Sequence, residues 1–272
     1  MLPILLYHQI ADVPAQRDPL GLAIAPRQFE QHMAFLQRAG YRCLSLPEAV
    51  RYLQEGRSLP RKSFVLTFDD GYRDLIVTVA PILNRFGFTA TVFLVAGCMG
   101  GGSDWEGQRG ARAAPLLSWA EARELAAQGF TFGGHTLTHP RLTGLHTEQV
   151  LDEIRQSNAL IEEQLEIKSD FFAYPYHDSD ARIQRIVAGS GYRAACGSHT
   201  GTWGLYNLWR AECMRDDGPM LFKLKAEGRY LRLRYFIQNC QRTPVGSLLV
   251  RPLRAVRRWQ RGLKGAQASA DG

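Results

Sequence analysis

The 272-residue sequence lacks any apolar run approaching the ~18 residues needed to span a bilayer, so no transmembrane helix is expected. It also lacks a leader pattern. No basic flank precedes the apolar start Met1-Leu2-Pro3-Ile4-Leu5-Leu6, and the run stops at Tyr7-His8. The expected compartment is therefore the cytoplasm. No C-x-x-C pair is present. The five cysteines (Cys43, Cys98, Cys196, Cys213, Cys240) are odd in number and scattered, which argues against a disulfide framework or a zinc finger. Reduced, mostly buried thiols are expected. No internal repeat or low-complexity segment is evident.

Charge of one sign is scarce in one place. From Lys223 to Lys264 there are 12 Lys and Arg and a single acid, Glu227, whereas residues 1–222 hold 21 basic and 24 acidic side chains. The net charge of +7 thus belongs to the C-terminal fifth and says little about the rest.

What is present is an alternation of strands and helices. Ile4–Tyr7, Tyr41–Leu44, Ser63–Phe68, Thr89–Val95, Phe130–Phe132, Phe171–Tyr174, Tyr192–Cys196 and Leu208–Glu212 read as strands. Helices are expected from Pro26 to Gly40, Pro47 to Gly56, Asp74 to Phe86, Ser118 to Gln128, Thr147 to Glu166 and Asp180 to Ala188, with Ser118 and Glu121 as a capping box. Gly97–Pro115 is rich in glycine and small residues and reads as a long surface loop. Such alternation implies a parallel sheet with helical crossovers. His8, Asp69, Asp70, His135, His139 and Tyr176 each lie just after a strand. An open sheet would gather such positions only at a switch point, whereas a barrel rings them all around one mouth. Their spread favours an α/β fold closed as a barrel.

Thr67-Phe68-Asp69-Asp70-Gly71 ends an apolar strand on two carboxylates, which is costly unless a cation or hydrogen-bond donors compensate them. Neighbours in a strand face opposite ways, so one carboxylate can bind metal and the other act beside it. A helix N-cap for the segment from Asp74 is the plainer alternative. His135-Thr136-Leu137-Thr138-His139-Pro140 follows Gly133-Gly134, and those flanks exclude a helix. In a straight strand the two rings would stand roughly 13 Å apart. One ion with bonds of about 2.1 Å therefore requires the segment to curl, and Thr136 and Thr138 can bond the curled backbone. Two unrelated loop histidines are the alternative. Taken together, two His and one carboxylate make a common zinc site with open positions, and a second carboxylate beside it suggests a hydrolase.

These two segments resemble the first two motifs of the polysaccharide deacetylase family of carbohydrate esterases, and Phe172-Ala173-Tyr174-Pro175-Tyr176 resembles its third. The resemblance spans roughly residues 1–215. It implies a distorted (β/α)7-8 barrel over residues 1–220, and the charge pattern of 221–272 reads as a basic helical extension after it. It implies that Asp70, His135 and His139 hold a divalent metal, usually zinc. Asp69 is then the general base, and the backbone N–H of Tyr176 stabilises the oxyanion. The implied substrate is an N-acetylated saccharide in polysaccharide or lipid-linked glycan synthesis.

The sequence departs from the family in four ways. No Leu-x-x-His follows residue 200, so Tyr7-His8, similar to an N-terminal pair in one branch, supplies His8 as the general acid. Ala173 stands where many relatives carry an Arg paired with the base. His177 stands where a Gly is expected, either as an extra polar group in the pocket or as a rim residue. An Asp that tunes the acid has no clear match. Pro175 and Trp105 are expected to contact substrate, Trp105 as an aromatic platform in the 97–117 loop. Trp203 and Trp209 line either the groove or the core.

In the extension, Leu248, Leu249, Leu253, Val256 and Trp259 make one apolar side among five arginines. This reads as an anionic membrane-surface element at the inner face, or as a helix packed on the barrel. Nucleic acid is not expected, since no binding motif accompanies the charge. Two other functions stay open: hydrolysis of another C–N bond in a small amide or cyclic imide, and a degraded carbohydrate-binding module.

Overall fold

Short apolar segments set the architecture. In the computed structural model, which describes residues 2–105, 113–197 and 201–241, the strand β1 (Ile4–Tyr7) lies parallel to β3 (Ser63–Phe68). A two-residue strand, β2 (Arg42–Cys43), adds to the other end of β3. The sheet then continues through β4 (Thr91–Leu94), β5 (Thr131–Gly134), β6 (Phe171–Ala173) and β7 (Ala194–Gly197), every pair parallel. The return to β1 is made by one short stretch of chain. β8 (Leu208–Trp209) pairs with β7, and β9 (Ala211–Glu212) pairs with β1. Arg210 alone separates them, so the chain changes partner at Arg210 and nearly closes the ring. The result is the distorted parallel barrel with helical crossovers that the alternation predicts.

Side chains alternate across this wall. Ile4, Val65, Phe93, Phe171, Ala173, Cys196 and Leu208 share the inner cluster. Leu5, Tyr7, Leu66, Phe68, Val92, Trp209 and Ala211 belong to the outer one, under the helices. Trp209 is therefore core, while Trp203 is exposed. The close strand spacing explains Gly133, where a Cβ would lie 2.5 Å from the Phe171 carbonyl oxygen.

The helices follow their local signals. α1 (Pro26–Arg38) and α2 (Leu46–Gln54) start with Pro in the first turn, and Ser45 caps α2 by accepting from Glu48 N–H. The expected helix over 74–86 begins instead as a π-helical turn, Leu75–Val79, before α3 (Ala80–Phe86). Pro81 has no N–H for the carbonyl four residues back and its ring crowds that carbonyl, so the turn widens. α4 (Trp119–Ala127) carries both halves of the Ser118–Glu121 capping box. α5 (Thr147–Leu165) and α6 (Ala181–Gly189) complete the crossovers.

The chain divides into a compact unit, Met1–Leu231, and a second unit, Arg232–Gly272. The first contains α7 (Pro219–Ala226), whose Phe222 ring stacks on His32 at 3.7 Å and whose Lys225 is buried. The boundary expected after residue 220 thus falls at the start of a helix that belongs to the compact unit. The helix α8 (Arg229–Gln241) supplies the described part of the second unit. The expected amphipathic segment around Leu248–Trp259 lies outside the described residues. Of the cysteines, Cys196 and Cys213 are buried, Cys43 and Cys98 half-buried, and all four are free thiols.

Candidate metal centre and the surrounding rim

Because the strands of the ring are parallel, their C-terminal ends open on one rim. His8 follows β1, Asp69 and Asp70 follow β3, His135 follows β5 and Tyr176 lies in the loop after β6. Together with His139 they line one cavity of about 250 Å³. The sequence reading is realised in that respect.

The strand ends at Phe68, and alternation alone would send the two aspartates to opposite faces. They do not go there. Asp70 takes φ 72° and Gly71 φ 78°, and this turn brings both carboxylates to the cavity. A Cβ on Gly71 would meet Leu94 at 2.8 Å, so the turn needs glycine twice over.

The histidine segment curls, as two ligands to one ion require. Thr136 and His139 both lie in the left-handed region, and Thr136 Oγ1 accepts from His139 N–H at 2.9 Å. Thr138 acts differently from expectation. Its hydroxyl donates to Glu153 Oε1 at 2.6 Å, while Glu153 Oε2 accepts from the Leu137 and Thr138 N–H groups, both at 2.9 Å. A carboxylate on α5 therefore holds the curl.

His135 Nε2 and His139 Nε2 stand 3.4 and 3.3 Å from Asp70 Oδ1. In a tetrahedral site with bonds of about 2.1 Å, neighbouring donors sit about 3.4 Å apart. Asp70 Oδ1 is also a buried oxygen with no hydrogen-bond partner, which a cation would satisfy. Among the described residues this trio is the group whose donor atoms converge, all within 4.8 Å of one another. His135 Nδ1 lies 2.8 Å from the Ala173 carbonyl oxygen. A carbonyl only accepts, so the proton sits on Nδ1 and Nε2 is left as the donor to metal. Burial alone would raise the Asp70 carboxyl, but the neighbouring His135 and His139 imidazoles reverse this and hold it well below the usual carboxylate range. These residues fit a divalent cation such as zinc.

Trp105 is buried and stacks on the His139 ring at 4.7 Å, so it backs a candidate ligand instead of standing on the cavity wall. The Tyr176 ring meets His139 edge-on at 4.5 Å and carries Arg141 over its own face at 4.5 Å. Pro175 is buried as the start of the tight turn that bears Tyr176.

Asp69 is not left without an arginine. Arg210, at the seam between β8 and β9, points into the barrel and grips Asp69 with two bonds of 2.6 Å, Nη1 to Oδ1 and Nη2 to Oδ2. Both residues are buried, and Arg210 also lies 5.5 Å from the centre of the Phe93 ring. Burial would raise the Asp69 carboxyl, and the Arg210 charge, helped by His135, brings it below its ordinary value instead. The arginine on Asp69 thus comes from the closing strand, while Ala173 lies buried in the wall.

The partner of His8 comes from the same strand. Its Nδ1 lies 3.9 Å from Glu212 Oε1, and His177 Nε2 lies 3.8 Å from that oxygen. Burial pushes the Glu212 carboxyl up, but the neighbouring His177 and His8 imidazoles pull it down to about 2. Lys225 donates from Nζ to the Glu212 carbonyl at 2.6 Å and pairs with Asp217, tying α7 to β9. Two residues after His8, Ile10 donates its N–H to Asp74, whose carboxyl burial pushes up to about 7.

Arg210, Glu212 and Glu153 escaped the sequence reading. The first two had a signal. In Leu208-Trp209-Arg210-Ala211-Glu212 the charged residues alternate with apolar ones, which places both charges on one face of a strand. Glu153 had none, being one of many acids on a long helix.

The polysaccharide deacetylase sequence profile matches residues 56–195, just over half of the chain. That span contains Asp69, Asp70, His135, His139 and Tyr176 but neither His8, Arg210 nor Glu212. The Bacillus subtilis protein YxkH, named for polysaccharide deacetylation, is 27% identical over 213 residues, covering 77% of this chain and 70% of that protein. The Escherichia coli poly-β-1,6-N-acetyl-D-glucosamine N-deacetylase is 32% identical over 84 residues, 31% of this chain and 12% of that one. The structure of the Streptococcus pyogenes deacetylase PplD in complex with acetate matches with a TM-score of 0.71 at 25% identity, covering 83% of this chain and 98% of that one. Profile, fold and the converging Asp-His-His set agree, and the chain belongs to the polysaccharide deacetylase family.

Proposed function

We propose that this protein is a metal-dependent hydrolase that removes the acetyl group from an N-acetylated saccharide. The observation that carries the reading is the donor spacing at Asp70, His135 and His139, with an ionised, arginine-held Asp69 beside it. When bound, a zinc ion at this trio supplies a Lewis acid that polarises the acetamide and lowers the pKa of water. Asp69 is the base. Arg210 occupies one direction on each of its oxygens and leaves further lone pairs to accept the proton of the attacking water. Tyr176, which lines the cavity, supplies its backbone N–H as the donor for the developing oxyanion. His8 delivers the proton that the amine nitrogen needs to leave, and Glu212 stabilises the charged imidazole. The name of the E. coli relative supports an N-acetylglucosamine unit as the substrate.

The test is acetate release from a panel of N-acetylated oligosaccharides. Chelation should abolish release and zinc should restore it, and Asp69→Asn should lower kcat by about 10²–10⁴-fold. Release that survives metal removal or the Asn variant overturns the reading. A lipid-linked substrate at the cytoplasmic membrane face is the finer form of the proposal, with the part of the basic extension beyond residue 231 as the surface contact. Flotation of the full chain and of residues 1–231 with anionic vesicles tests it, and equal flotation removes it.

A further inference from the structure

His177 has no part in the steps above, yet the fold places it in the cavity at a cost. Tyr176 and His177 adopt φ 57° and 56° in succession, a conformation disfavoured for every residue with a Cβ. Such strain persists where the surroundings and function hold it. The imidazole lines the same cavity as the candidate metal ligands, and its Nε2 faces Glu212 Oε1.

Two other roles fit less well. A second metal at His8, His177 and Glu212 is not supported, because the converging donor group among the described residues is Asp70, His135 and His139. A packing role does not fit a side chain that is 27% exposed on a cavity wall. What the pair does offer is hydrogen bonding. The Glu212 carboxylate is an acceptor at the rim, its main-chain carbonyl held by Lys225, and His177 sets its Nε2 beside it. Leu20, Leu22 and Met214 complete the wall with apolar surface. A saccharide bearing an acetamide also bears hydroxyl groups within a few ångströms of it, and these need this kind of partner.

We propose that His177 and Glu212 form a hydroxyl-binding pair that positions the saccharide beside the scissile acetamide, with His177 binding substrate and taking no proton-transfer role. This rests on the deacetylase reading. The test compares the wild-type zinc enzyme with His177→Gly and His177→Gln on an N-acetylated oligosaccharide and on 4-nitrophenyl acetate, which has no sugar hydroxyls. His177→Gly should raise KM for the saccharide about tenfold with kcat within about twofold, since a contact made equally in ground and transition states moves KM alone. Turnover of the aryl acetate and zinc affinity should not change. His177→Gln, which keeps a donor and an acceptor, should recover part of the KM. Glycine also relieves the left-handed strain, so Tm should rise by about 2–4 °C. A merely structural residue would lose stability and leave KM alone. Unchanged saccharide KM, or a loss carried by kcat, overturns the pair while the deacetylase reading stands. A wild-type enzyme that releases no acetate from any saccharide takes both down.

Discussion

The two sides of the rim are assembled differently. The candidate metal side, Asp70, His135 and His139, is built from two short segments whose own turns aim the donors. The proposed proton-handling side, His8, Asp69, Arg210 and Glu212, draws on the first strand, the third and the closing one. The metal ligands must meet at one point within tenths of an ångström, so residue type and local spacing are constrained together. A buried charge needs only compensation through space, and its partner can come from any strand that passes nearby. Ala173 illustrates the freedom: its position has no arginine, yet Asp69 is held by two bonds of 2.6 Å from Arg210.

The sharpest way to break this comparison is to remove the long-range partner. Arg210→Met should strand a buried carboxylate and cost about 3–5 kcal/mol of stability, read by denaturant unfolding. Activity should fall with it. The double variant Asp69→Asn with Arg210→Met should regain part of the stability, because the stranded charge is gone. A double variant as unstable as the single one would mean that packing around Arg210, and not its charge, is what matters.

On the metal side the corresponding support is Glu153. Glu153→Gln keeps the shape but weakens the hold on the Leu137 and Thr138 N–H groups. Zinc affinity should drop about 10–100-fold in a competition titration, with little change in unfolding. Unaltered affinity would show that the His135–His139 curl is self-sufficient, and would widen the contrast between the two sides.

The smallest effect sharpens the proton side. The Glu212 carboxyl is lowered from its ordinary 4.5 to about 2. A depressed carboxylate contributes stability that is full above the unfolded value and is lost as pH falls toward the folded one. The stability advantage of the metal-free wild type over Glu212→Gln should therefore be full near pH 5 and shrink as pH falls from about 4.5 to 2. A gap that is flat across that range would mean that Glu212 gains nothing from its two imidazoles.

Much of the fold was legible from the chain. The β1 and β3 segments, Ile4–Tyr7 and Ser63–Phe68, were readable to the residue, because uninterrupted apolar runs bounded by polar turns have one sensible use in a parallel sheet. The Ser118 cap was legible because a capping box is satisfied within one turn. The helix over 74–86 was misread at its start, since the conflict at Pro81 is resolved by a wider turn that periodicity does not signal. Trp105 was legible as an aromatic near the site but not as a ring stacked behind His139, which depends on how the 97–105 loop folds back.

By itself the sequence determined the parallel α/β alternation and the strand-end motifs Asp69-Asp70 and His135-x-x-x-His139, while the choice of Asp70 beside the two histidines was implied by the family resemblance. Apolar periodicity and short-range turn chemistry act over a few residues, and those signals survive in one dimension. Only the tertiary structure decided which arginine holds Asp69, which carboxylate faces His8 and that His177 shares it. These are pairings between residues up to about 200 positions apart, brought together when β9 returns to β1. Low dielectric makes such pairs strong in the interior, and nothing in the local sequence records who the partner is.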